Sequence, residues 1–333
     1  MRRLTNLLGG LALVAGGLTL APVPGPAQPL PAGFRQVGTV RLDVPYARLT
    51  ADDRVFFRRR GYEAARTQTR FEARQLAYSV DGLALEAWLY APRQPAPGRR
   101  YPVLVYCRGG TAAFGALDPE NLVDFHRWAR AGYLVVAPNY RGSRLENGRI
   151  TNGVDEWGGR DLRDVWALLP LLRGLPEADP DRMVLVGFSR GAVMAFELLR
   201  QGFPARAVAT VGGVTNLRRQ EARRGPEFVE GDSTWPGWRR VWPGYADPAR
   251  QAEHYRRRSA VAWADSLRVP VLLLHSRTDP RVPVADAQEL ADSLRTHRRP
   301  YRLVLYRRDF HGLARHRRAR DRTLLAWLRR YGG

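Results

Sequence analysis

The sequence predicts an α/β fold with a mostly parallel central sheet and helices on both faces. Two observations carry this expectation. From Ala77 onward, short apolar runs of strand length alternate with longer segments of helical period, the pattern of strands joined by crossover helices. Several of those runs are apolar throughout, as strands covered on both faces must be. A break in the rhythm over residues 215–262 adds a lid-like insertion.

The elements follow in order. Leu83 to Tyr90 alternates as a strand does, and Tyr101 to Cys107 is a continuous apolar run. Asn121 to Ala131 reads as a helix and Tyr133 to Pro138 as the next buried strand. Asp161 to Leu172 is amphipathic, preceded by Gly158-Gly159 and expected to kink or stop near Pro170. Met183 to Gly187 is a short apolar strand with a helix, Ala192 to Leu199, directly behind it. Ala205 to Val214 is a further strand. Residues 215–262 carry Trp235, Trp238, Trp242 and four prolines with little clear period. They read as a lid or cap whose aromatics either form its own core or line a pocket. Order resumes with a strand at Val269 to Leu274, a helix at Val284 to Leu294, a strand at Leu303 to Tyr306 and a closing helix at Arg320 to Tyr331.

Upstream, residues 28–79 are Arg-rich and irregular, with weak helical signals around Arg54 to Arg74. They are read as an N-terminal extension wrapping a main domain over 80–333. No internal repeat is visible, and this stretch is too short for a β-propeller, whose blades need about 40 residues each. Met1-Arg2-Arg3, the apolar stretch Leu7 to Leu20 and a Pro-rich segment ending in Gly25-Pro26-Ala27 read as a signal peptide over 1–27. Cleavage is expected between Ala27 and Gln28. The alternative, an uncleaved anchor, is short for a bilayer span. The reading is export, periplasmic or secreted, with no stable membrane insertion after cleavage; oligomeric state is not indicated.

Composition narrows the function classes. With 44% hydrophobic and 26% charged residues over 333 positions, the chain is of globular type. Cys107 is the sole cysteine, which excludes an intramolecular disulfide. No Cys/His cluster has the spacing of a zinc site, so neither metal nor organic cofactor is expected. All 54 basic side chains are Arg and the net charge is +22. The arginines are spread along the whole length and no nucleic-acid reading motif accompanies them. The expectation is diffuse attraction to polyanions at low salt, with no specific nucleic-acid partner.

Chemistry enters at Gly187-Phe188-Ser189-Arg190-Gly191. This pentapeptide follows an apolar strand and opens a helix, the setting in which Gly-x-Ser-x-Gly forms a nucleophile elbow. The turn is tight enough that side chains two positions either side of the serine would clash, and the helix N-terminus behind it favours developing negative charge. A serine needs a base oriented by a third group. In an α/β-hydrolase the acid and the histidine come later, each just after a strand. Asp279, in Asp279-Pro280-Arg281-Val282-Pro283, follows the strand at Val269–Leu274. His311, in Asp309-Phe310-His311-Gly312, follows the strand at Leu303–Tyr306. Asp309 competes as the acid but sits two residues from His311, awkward for reaching the far ring nitrogen. His275 ends a strand and is expected to brace the acid loop; His126, His254, His297 and His316 are read as surface or packing residues. Oxyanion donors are expected from the backbone N–H of Arg190 and from Gly109, in Arg108-Gly109-Gly110 after the Tyr101–Cys107 strand. Arg108 and Tyr106 are the candidate substrate contacts. Arg108 and Arg190 together suggest a pocket biased towards anionic groups.

These segments resemble the catalytic domain of the prolyl oligopeptidase family. The resemblance runs through Arg108-Gly109-Gly110, Asn139-Tyr140-Arg141-Gly142-Ser143, Gly159-Arg160-Asp161-Leu162-Arg163-Asp164 and Asp179-Pro180-Asp181-Arg182. It continues through Gly187 to Gly191, Asp279 to Pro283 and His311-Gly312, and covers roughly residues 80–330. It implies the same triad of Ser189, Asp279 and His311. Two residues depart from the family pattern: Arg108 stands where relatives have His, and Ala192 where many have a second Gly. The expected function is an exported serine hydrolase that cleaves a small ester or short peptide through an acyl-enzyme. A carbohydrate-ester deacetylase, a silent hydrolase fold used for binding, and a polyanion-binding protein are the alternatives.

Overall fold

The computed structural model describes residues 30–232 and 235–332; the expected signal peptide and its cleavage site lie outside them. The N-terminal region forms β1 (Arg35–Val40), the short helices α1 (Ala51–Phe56) and α2 (Arg59–Thr67), and β2 (Phe71–Val80). β3 (Leu83–Pro92), β4 (Tyr101–Cys107), α3 (Leu122–Arg130) and β5 (Leu134–Asn139) follow, then a small hairpin of β6 (Leu145–Glu146) and β7 (Arg149–Ile150). Next come α4 (Asp161–Trp166), α5 (Leu169–Gly174), β8 (Ala178–Phe188), α6 (Gly191–Arg200) and β9 (Ala205–Val211). Four lid helices, α7 (Leu217–Arg224), α8 (Pro226–Val229), α9 (Trp238–Val241) and α10 (Pro248–Arg258), precede β10 (Val271–Ser276). α11 (Val284–Thr296), β11 (Tyr301–Tyr306) and α12 (Arg317–Tyr331) complete the order.

Nine strands form one sheet in the order β1-β2-β3-β5-β4-β8-β9-β10-β11. From β5 to β11 every pairing is parallel, while β1, β2 and β3 join at one edge as antiparallel strands. Alternation along each parallel strand splits the core into two layers. Val103, Val105, Met183 and Leu185 face α4, α5, α6 and α11, whereas Leu104, Val184 and Val186 face α3 and α12. Burial on both sides is why these strands read as unbroken apolar runs.

Register sets the functional edge. Cys107 at the end of β4 lies opposite Gly187, Phe188 at the end of β8 opposite Val211, and Ser276 at the end of β10 opposite Tyr306. The carboxyl ends of five neighbouring strands therefore finish together. Open α/β sheets carry their ligands at such an edge.

One expectation needs adjusting, and two others meet their outcome here. The boundary at residue 79 falls inside the sheet, because β2 pairs with β3 over ten positions from Phe71–Pro92 to Val80–Leu83. Its alternation was hidden by Arg74, which is buried on the inner face and satisfied by Glu177 at 3.0 Å. The helix expected over 161–172 divides into α4 and α5 just before Pro170, which takes an early position of α5, where a missing N–H costs nothing. The tryptophans of the insertion build its core. Trp238 is stacked between Phe228 at 4.9 Å and Trp242 at 4.6 Å, all three buried. The same cluster takes in Ala112, Val193, Val214 and Val282, so the lid rests on the loops at the carboxyl edge.

Candidate active site

β8 delivers the backbone to Ser189, whose φ of +53° lies in the left-handed region. A non-glycine residue pays about 1–2 kcal/mol there, and neighbouring hydrogen bonds enforce the geometry. The Ser189 N–H donates to Val211 O at 3.0 Å, and Ser189 O accepts from Ala192 N at 3.0 Å and Val214 N at 3.2 Å. The flanking glycines are steric requirements. A Cβ on Gly187 would lie 2.7 Å from Gly191 O, and one on Gly191 only 1.9 Å from Cys107 O. The turn is thus pressed between its own helix and β4, which leaves the Ser189 side chain at the edge of the sheet.

The loop after β4 passes equally close. A Cβ on Gly109 would sit 3.1 Å from Ser189 Cβ and 2.9 Å from the Phe188 ring. Among the described residues, the Gly109 and Arg190 N–H groups donate to no protein acceptor. Two free backbone donors therefore flank the serine, the arrangement an oxyanion requires.

On the other side, His311 Nδ1 is 2.9 and 3.1 Å from the two carboxylate oxygens of Asp279. A carboxylate only accepts, so Nδ1 carries the proton and Nε2 of the neutral ring keeps its lone pair. Burial alone would raise the Asp279 carboxyl. The His311 imidazole and the N–H groups of Val282 and Arg281 outweigh it and hold the group below the ordinary carboxylate range. The imidazole packs against the elbow, its ring 5.2 Å from that of Phe188.

The competing groups have other partners. Asp309 accepts from Phe310 N, Arg315 N, His316 N and His316 Nδ1, so it shapes the histidine loop from within. His275 Nε2 donates to Val282 O at 2.9 Å, and burial lowers its pKa, so it braces the acid loop as a neutral ring. His126 is buried beside the Tyr90 hydroxyl and is driven down to about 4 by burial, a packing role.

Arg108 and Arg190 are turned inward, away from any substrate. Each is only 1% exposed. Arg108 donates to Gly109 O at 3.0 Å and Ala112 O at 3.2 Å, and Arg190 pairs with Asp155 and with Asp161 at 2.6 Å. Both guanidinium groups lie over the Tyr140 ring, at 4.9 and 4.7 Å. Tyr106 likewise belongs to the α3 layer, packed on Phe125 at 5.4 Å and Trp128 at 5.7 Å. The strand period explains this, since Tyr106 shares a face with Leu104 and not with the loop that follows. Anionic selectivity has no support from these three side chains.

Two participants were missed from the sequence. Gly212, with φ +56°, runs so close to the His311–Asp279 pair that a Cβ there would be 3.0 Å from His311 Nδ1 and 3.2 Å from Asp279 Oδ2. Asp155, at 0% exposure, gathers Arg190, Ala112 N and Trp157 N. Gly212-Gly213 at a strand end was a readable signal for the first; nothing local marks the second. Among the described residues, no group of three His, Cys, Asp or Glu side chains is placed to hold a metal ion.

Comparison with known proteins places this geometry in context. The model of the prolyl oligopeptidase family matches residues 123–333. The uncharacterized peptidase YtmA of Bacillus subtilis is 27% identical over 237 residues, covering 69% of this chain and 82% of that protein. Dipeptidyl-peptidase 5 of Porphyromonas gingivalis is 25% identical over 270 residues, covering 76% of this chain and 37% of that protein. Among solved structures, the acylaminoacyl peptidase of Pyrococcus horikoshii superposes with a TM-score of 0.62 at 23% identity, covering 79% of this chain and 42% of that one. The chain thus spans most of the first relative and about two fifths of the larger ones.

Proposed function

The chain belongs to the prolyl oligopeptidase family and is a serine peptidase by that membership, and from this premise we propose that Ser189, His311 and Asp279 cleave amide or ester bonds through an acyl-enzyme. His311 Nε2 takes the Ser189 proton as the hydroxyl attacks the carbonyl, and returns it to the leaving amine or alcohol. Asp279 keeps the imidazole in the tautomer that can do this and stabilises its charged form. The N–H groups of Arg190 and Gly109 hold the oxyanion of the tetrahedral intermediate. Water then repeats the sequence on the acyl-enzyme.

The observation that carries the reading is the His311–Asp279 hydrogen bond, 2.9 Å long, formed beside a strained serine turn. The dipeptidyl and acylaminoacyl peptidases among its relatives support a peptide or acyl-amino bond as the one cleaved, with small esters as accessible model substrates. The segment Met1 to Ala27 supports export; N-terminal sequencing of the mature protein should begin at Gln28.

The test is a panel of dipeptide amides, acylated amino acids, simple esters and acetylated sugars, run on wild type and Ser189→Ala. Hydrolysis of amides or simple esters, with fluorophosphonate labelling lost in the variant, supports the proposal. Activity confined to acetylated sugars replaces the substrate class. Absence of both labelling and turnover ends the catalytic reading.

A further inference from the structure

Of the two segments that flank Ser189 with backbone donors, the Arg190 turn is braced by main-chain hydrogen bonds within the elbow, but none of these bonds reaches the Gly109 loop. Both segments are tied to one buried carboxylate. Asp155 Oδ2 accepts the N–H of Ala112 at 3.0 Å, which anchors the loop that begins at Gly109. Asp155 Oδ1 accepts from the guanidinium of Arg190, the residue directly after the nucleophile. Arg108 completes the loop side, its guanidinium folded back on the Gly109 and Ala112 carbonyls. Asp161 shares Arg190 at 2.6 Å but makes no contact with the Gly109 loop.

We propose that Asp155 is the positioning residue of the oxyanion site, setting the spacing between the Gly109 loop and the Arg190 turn. This rests on the acyl-enzyme reading above. Three facts make Asp155 the pivot. It is the one carboxylate among the described residues bonded to both segments. It is wholly buried, so its bonds are unscreened and geometrically fixed. Its own backbone is anchored from the lid, because the Trp235 indole donates to Asp155 O at 3.0 Å. The adjacent Trp242 indole donates to Glu156 O at 3.1 Å. The seat of the lid is therefore continuous with the oxyanion donors through a single residue. Arg190 and Arg108, side chains of a type usually spent on ligands, serve here as the two arms of that clamp.

A positioning role separates from a purely structural one in its kinetics. Asp155→Asn keeps the volume but replaces one acceptor with a donor, which cannot face both Arg190 and the Ala112 N–H. The expected result is a fall in kcat of about 10- to 100-fold at nearly constant KM. Affinity for a peptide aldehyde, which forms a tetrahedral adduct on the serine, should fall by the same factor. The pH midpoint of kcat should stay where it is, because His311 and Asp279 are untouched. Amide hydrogen exchange at Ala112 should accelerate at least tenfold, a readout that does not depend on turnover. Trp235→Phe, which keeps an aromatic ring in the lid core but removes the indole N–H to Asp155 O, guards against a folding failure and should lower kcat two- to fivefold. The proposal is overturned if kcat and aldehyde affinity stay within twofold in both variants, if the loss falls on KM alone, or if Ala112 exchange is unchanged. Full activity in Ser189→Ala would instead overturn the acyl-enzyme reading, and Ala112 exchange would still judge Asp155.

Discussion

Replacing Gly212 by Ala probes the proposed role of the His311–Asp279 pair without altering any group that carries a proton. At φ +56° an alanine pays about 1–2 kcal/mol for the left-handed conformation, part of which the lower entropy of its unfolded chain offsets. The new methyl would also lie 3.0 Å from His311 Nδ1 and 3.2 Å from Asp279 Oδ2. Ordinary carbon contacts start near 3.5 Å, so the imidazole or the carboxylate must yield by several tenths of an ångström. The imidazole yields more readily, since the carboxylate is also held by the N–H groups of Arg281 and Val282. Displacing the base by that much costs about 10- to 100-fold in kcat, with a loss of stability near 1 kcal/mol. Gly202→Ala is the control: φ there is +83° and a Cβ meets nothing within 4 Å. Both variants should lose a few degrees in thermal midpoint, and only Gly212→Ala should lose turnover. Equal kcat in the two variants, at equal stability, would refute the assignment of the His311–Asp279 pair to proton transfer.

Other expectations follow from the same geometry. Asp279→Asn should lower kcat by roughly 10⁴-fold with the fold retained, since the amide reverses the tautomer of His311; steady-state kinetics with circular dichroism checks both halves. Arg108→Lys cannot span the Gly109 and Ala112 carbonyls with one ammonium. It should cost about tenfold in kcat, while the ratio of rates on carboxylate-bearing and neutral esters stays unchanged because residue 108 faces the interior. Burial alone would raise the Asp124 carboxyl, but Arg317, Arg320 and Arg127 outweigh it and hold it well below the ordinary range. A depressed carboxyl stabilises the fold above its unfolded value near pH 4, and that contribution fades as pH falls below it. Asp124→Asn should therefore cost about 2–3 kcal/mol in urea unfolding at pH 7, a gap that narrows steadily below pH 4.

The all-arginine basic complement gains a physical meaning in the interior. Arg141 makes a fork with Asp164, its nitrogens 2.6 to 3.1 Å from the carboxylate, beneath the loop that follows β5. Arg258 lies 4.5 Å over the Trp242 ring while donating to Trp157 O, which pins α10 to the lid core. Planar, weakly hydrated guanidinium groups can stack and bridge in this way, and an ammonium cannot. The charge that reads from the sequence as a diffuse surface is therefore partly scaffold.

Local rules made the sheet, the elbow and the pairing of Asp279 with His311 legible in the sequence. Apolar runs fix which strands are covered on both faces. A pentapeptide with two obligatory glycines fixes the turn, and one acid and one histidine each follow a strand end. These signals are short-range, and the regular register of a parallel sheet carries them to one edge. Three things needed the folded chain. β2 joined the sheet although polar residues masked its period, because Glu177, more than a hundred positions away, satisfies Arg74. Arg108 and Arg190 turned inward because Asp155, Asp161 and the Tyr140 ring wait for them there. Gly212 and Asp155 belong to the site through contacts with residues from other strands and loops. Sequence shows what a residue can bond to, whereas burial and long-range contact decide which of those bonds it makes.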